Sequence, residues 1–263
     1  MPDESRNPNP SERLPEHRLI LTDFNAGQAV LYAEYWAYRR NPSFYSFDRI
    51  GGDCTNFVSQ AVFYAAGVMN YTPTYGWYYI SLGERSPSWT GVTYFWDFMT
   101  TNAGPGPFGH EIPLTQARPG DVIQMAIRQP DSFGHSVLVT QLLTNEGSAS
   151  PDEILVAAHD TDCACRPVST YDYHMIRVLR IDGVRYFSAA TDQPFEQMFY
   201  TAPERSHETP SDSLSNFSTE QENVVTEPHR SAESISAYAE DIYREPEPVG
   251  ERGWSRSECK KQP

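Results

Sequence analysis

The sequence has little positive charge, few cysteines and no long apolar run, and each shortage removes a class of function. Lys and Arg number 20 against 35 Asp and Glu, a formal net charge of −15. Phosphate backbones and anionic lipid surfaces are held by basic faces, so nucleic acid is excluded as a partner and an anionic membrane surface is disfavoured. The apolar stretches are too short and too interrupted to cross a bilayer, so no membrane insertion is expected. The first residues show no basic stretch followed by an apolar one, hence no secretory signal. The chain reads as cytoplasmic, exported by a signal-less route, or stripped of its signal. Four cysteines (Cys54, Cys163, Cys165 and Cys259) are few for a disulfide scaffold, and no C-x-x-C pair marks a zinc module. No metal and no cofactor is expected.

What is present concentrates in the middle of the chain. Residues 1–18 are rich in Pro, Asn, Glu and Arg and read as a disordered leader. Residues 201–263 are dominated by Ser, Glu, Thr, Pro and Arg and read as an acidic, mostly disordered tail. Within that tail Ile235, Tyr238, Ile242 and Tyr243 recur at helical spacing and offer a face to a protein partner. Residues 19–200 form the single folded domain.

That domain opens with a helix capped at Asp23 or Asn25, carrying Ala29, Val30, Ala33, Trp36 and Ala37 on one face and stopped by Asn41-Pro42. A second helix starts at Cys54 and ends at Gly67, and a short third one covers Gly91 to Met99. Then the pattern changes to short β-branched runs at residues 122–127, 134–140, 154–159 and 175–181. Helices first and strands afterwards predict an α+β architecture with an antiparallel sheet.

The chemistry centres on Cys54. A thiol attacks a carbonyl as thiolate, and the unpaired N–H groups of a helix start favour negative charge. Cys54 follows Gly51-Gly52-Asp53 and opens an apolar-periodic helix, so it is expected to be the thiol most readily alkylated, with its own N–H aimed where an oxyanion forms. Asp53 and Asn56 flank it, as cap residues or as direct participants. Of seven histidines, only His135 and His159 stand at strand ends, where a sheet can hold a ring rigidly. Trp77 is the aromatic residue expected to line a substrate cleft. The run from His159 through Asp160 and Asp162 to Cys163 and Cys165 contains zinc-ligand types, but C-x-C is a cramped spacing, and two loop cysteines is the preferred reading.

The segment Gly51-Gly52-Asp53-Cys54-Thr55-Asn56-Phe57-Val58-Ser59-Gln60 resembles the signature of the Putative amidase domain family. These are bacterial papain-like cysteine hydrolases related to the NlpC-type and CHAP-type cell-wall peptidases. Further segments resemble the family's motifs in order: Ala29 to Ala33 with Asn41-Pro42, Trp77-Tyr78-Tyr79, Ser86 to Thr90, Gly120 to Gln124, His135 to Thr140, and Ala158-His159 with Thr161 and Asp162. The resemblance implies a papain-like fold, with the nucleophile at the start of a helix packed on a small antiparallel sheet. It implies Cys54 as nucleophile, His135 as general acid and base, and His159 as the group orienting the imidazole. Asp160 is the alternative third member, since a carboxylate commonly fixes a histidine tautomer. The Cys163-Ala164-Cys165 segment departs from the family pattern. The implied activity is hydrolysis of an amide or peptide bond through a thioester, in peptidoglycan or a related peptide. A catalytically silent binding module on the same fold is the competing reading, and the intact Cys54 and His135 favour the enzyme.

Overall fold

A change of hydrophobic period from 3.6 to 2 divides the domain into a helical layer and a sheet, and the helical layer carries Cys54. The computed structural model describes residues 18–144 and 149–188. The leader and the acidic tail, with its Ile235 to Tyr243 segment, lie outside the described residues. Strand β1 (Leu19–Thr22) is followed by helices α1 (Ala26–Trp36), α2 (Cys54–Ala66), α3 (Pro87–Thr90) and α4 (Val92–Thr101). Six strands come next: β2 (Gly106–Ile112), β3 (Val122–Ala126), β4 (His135–Leu142), β5 (Ile154–Ala158), β6 (Cys163–Pro167) and β7 (Met175–Phe187). All pairings are antiparallel, in the order β1-β7-β3-β4-β5-β6, with β2 also paired to β7. The architecture is α+β. No helix among the described residues is long and apolar enough to cross a membrane.

The helix ends follow local chemistry. Asn25 caps α1 by accepting the Gln28 N–H at 3.2 Å. Gly67 closes α2 in the left-handed conformation at φ 66°, with its N–H on the Phe63 carbonyl. Alternation sorts the sheet residues to two faces. Leu138, Ala157, Leu179 and Ile181 pack under the helices with Phe57, Val58, Ala61 and Trp89. Val137, Val139, Val156, Ala158 and Val178 pack on the opposite face with Tyr171 and Cys163.

Three strands have no counterpart in the sequence reading. β1 is four residues long and β2 carries Gly106, Pro107 and Gly109, so neither has the β-branched run that marks a strand. β6 contains the cysteine pair read as loop; pairing with β5 makes it an edge strand instead.

Trp77 is a core residue with no exposed surface. Its ring lies 5.0 Å from Trp89 and its Nε1–H donates to Ser59 Oγ at 3.1 Å, so it does not line a groove. Trp89 is equally buried and donates its Nε1–H to Asn56 Oδ1 at 2.8 Å, tying the aromatic cluster to the first turn of α2. Trp89→Phe keeps most of the apolar contact and leaves that buried amide oxygen short of a donor. A loss of about 1–3 kcal/mol in urea unfolding is expected.

Candidate active site

Cys54 is the first residue of α2, and its position is set by side chains on both sides of it. Behind it, Thr55 Oγ1 meets Ser136 Oγ of β4 at 3.0 Å, and Gln124 Nε2 on β3 donates to the same Ser136 hydroxyl at 3.3 Å. Gln124 Oε1 in turn accepts from Arg177 Nη2 at 2.6 Å. This buried chain of polar contacts fastens the start of α2 to the start of β4, which brings Cys54 beside His135. Thr55, Gln124 and Ser136 all lie in the family-like segments, but the sequence assigns none of them a role, because each is an ordinary polar residue until a partner more than ten positions away is known.

In front of Cys54 the loop of residues 47–53 is held by Asp53, which is fully buried. Its Oδ1 accepts the Phe47 N–H at 2.7 Å and an Asn56 Nδ2–H at 2.9 Å. Its Oδ2 lies 2.6 Å from His159 Nδ1 and 3.7 Å from Arg40 Nε. Arg40 also forks onto Asp48 and Asp162 at 2.7 and 2.9 Å, so a single guanidinium joins the loop before the thiol to the turn after β5. Burial works to lower its pKa, but these two carboxylates outweigh it and raise the value.

His159 belongs to that buried assembly. Its ring stacks on Phe57 at 4.0 Å, Nδ1 faces the Asp53 carboxylate, and Nε2 faces the Trp36 carbonyl at 3.0 Å. Both nitrogens meet protein oxygens, so the ring is fixed in place from two sides. Neither nitrogen is directed to His135. Asp53 and Asn56, expected beside the thiol, likewise turn their side chains into the protein: the Asn56 amide is spent on Tyr45 O, Asp53 and Trp89.

Three expected residues do converge. One ligand atom each from Cys54, His135 and Asp160 lie within 4.8 Å of one another, with the first two buried and Asp160 exposed. Thiolate, imidazole and carboxylate are also zinc ligands, so this set could hold such an ion. His135 opens β4, packs 5.7 Å from the Tyr171 ring, and has no side-chain hydrogen-bond partner among the described residues. Burial holds its pKa below the usual 6.5, against the opposing pull of Asp160. Asp160 sits in the turn after β5 at φ 78°, a left-handed conformation that is uncommon for a residue with a side chain. Its Oδ1 accepts the Asp53 N–H at 2.6 Å and its Oδ2 accepts the Cys54 N–H at 3.3 Å. Gly52 makes room for that carboxylate: at φ 106°, a Cβ there would stand 2.7 Å from Asp160 Oδ2.

The surroundings of the thiol differ from those of a bare helix start. Burial first, and the Asp160 charge second, push the Cys54 thiol up to about 12. The helix start favours a thiolate only while its N–H groups are free, and here a carboxylate already holds them. Cys163, the other free thiol among the described residues, is buried on the opposite face of the sheet, with Sγ 3.6 Å from the Tyr171 hydroxyl.

No curated protein and no solved structure matches this chain. One family model does, over residues 23–181, which spans every element described except β1 and the end of β7. With the match covering well over half of its length, the chain belongs to the Putative amidase domain family.

Proposed function

We propose that the protein is a cysteine-dependent amidase on a papain-like scaffold, acting on an amide bond in peptidoglycan or a related peptide. The reading is carried by one observation, the meeting of Cys54, His135 and Asp160 within 4.8 Å at the start of α2. Family membership supports hydrolase chemistry, and the side chains supply its parts. His135 takes the Cys54 proton as Sγ adds to the carbonyl carbon. Because the thiol is raised and the imidazole lowered, the resting pair is neutral, and proton transfer accompanies attack. The imidazolium then gives its proton to the leaving amine as the C–N bond breaks. A water, deprotonated by His135, cleaves the thioester, releasing the acid and restoring the thiol. On this reading Asp160, whose carboxylate lies within 4.8 Å of the His135 ring, turns to orient that ring during the reaction, and His159 acts at one remove, through Asp53, on the loop before the thiol.

Incubating the purified protein with peptidoglycan fragments and reading products by mass tests this, with acylated Cys54 in the quenched reaction as the covalent signature. Release of amine and acid with that adduct is expected. Binding without cleavage would favour a silent binding module. The base must be neutral to act, so the acid limb of kcat/KM is expected below pH 6.5. An acid limb above that pH would remove His135 from the role. Activity should survive EDTA, and added zinc should inhibit by taking the thiol. Loss of activity in EDTA, restored by zinc, would replace this mechanism with a metal-assisted one.

A further inference from the structure

The Asp160 carboxylate occupies the place that the chemistry needs empty. An oxyanion formed by addition of Cys54 Sγ lies within reach of the N–H of the same residue. That N–H donates to Asp160 Oδ2, and the preceding one, of Asp53, donates to Asp160 Oδ1. We infer that Asp160 is a built-in latch: in the free protein its carboxylate fills the oxyanion position at the start of α2, and it leaves when a substrate carbonyl arrives. Its departure frees the two amides and releases the carboxylate towards His135. The inference rests on the amidase reading and adds to it a latent resting state.

Several independent features fit a seat that is occupied and then vacated. α2 has no cap of its own, since the Asp53 side chain makes no capping bond and the first turn holds no acidic residue. The cap therefore comes from a turn 106 residues further along the chain, and it touches the residue that bears the thiol. Asp160 is exposed, so its carboxylate has room to swing out by side-chain rotation alone. The charged groups around the thiol have distinct jobs. Asp53 is spent on His159 and Arg40, Arg166 acts on His135 from β6, and among the described residues Asp160 is the one that adds negative charge at the sulfur.

The test needs no substrate. Iodoacetamide labelling of Cys54 is followed by mass spectrometry from pH 7 to 10 in wild type, Asp160→Asn and Asp160→Ala, with buried Cys163 as the internal control. With the negative charge gone from the helix start, both variants should label at Cys54 about tenfold faster or more at pH 8, with Cys163 unchanged. The Asn variant keeps an acceptor for the helix amides and so decides the matter if the Ala variant fails to fold. Wild-type labelling rates in a folded Asn variant would overturn the latch, and so would unfolding of that variant, which would make Asp160 a structural cap. An absence of hydrolysis in the wild type would instead refute the amidase reading, whatever the labelling shows.

Discussion

Cys54→Ala is expected to bring hydrolysis to background, a loss of at least about 10⁴-fold in kcat, while the protein folds and melts normally. Without the sulfur no thioester forms. His135→Ala should fall almost as far, since the same ring serves attack and leaving-group departure. The two losses should not add, because both residues serve one covalent route; the double variant should resemble Cys54→Ala alone. Single-turnover assays on one cleavable peptide, with far-ultraviolet circular dichroism as a control, measure this. Retention of substantial activity by Cys54→Ala would end the cysteine mechanism.

The second large effect is on stability. Asp53→Ala is expected to cost about 3–5 kcal/mol in urea or thermal unfolding, because it leaves the buried His159 Nδ1 and the Phe47 and Asn56 donors without their acceptor. Asp53→Asn, which keeps an acceptor but not the charge, should fall between. His159→Ala should likewise register as lost stability, with a modest kinetic effect in the fraction still folded, since its nitrogens hold Asp53 and the end of α1. A normal melting temperature for Asp53→Ala, with activity gone, would move Asp53 from scaffold to chemistry.

Much of this site was legible because its signals are local. A glycine pair before a cysteine at a helix start, and histidines at strand ends, can be read from a dozen residues of sequence each. The α+β class followed from the change of hydrophobic period, and the α2 cap at Gly67 from one residue type. What could not be read depends on direction. His159 and Asp160 are adjacent, yet the left-handed turn at Asp160 sends the imidazole into the protein and the carboxylate to the helix start. No periodicity reports that reversal. Trp77 misled for a related reason: an aromatic ring suits a core and a cleft equally, and the Ser59 partner that holds it in the core is eighteen positions away. β1 and β2 stayed hidden because their strand character comes from β7, which pairs with both, rather than from their own composition.

Strand β7 also bears on how the protein is made. It pairs with β1, β2 and β3, all of which come well before it in the sequence. During synthesis none of those pairings can form until residues 175–187 have left the ribosome, so the earlier strands wait with open edges. Contacts between such distant positions slow folding and lengthen the interval in which a nascent chain can aggregate. A chain stalled before Met175 would carry Cys54, His135 and Asp160 and still lack the strand that joins β1 and β2 to the rest of the sheet.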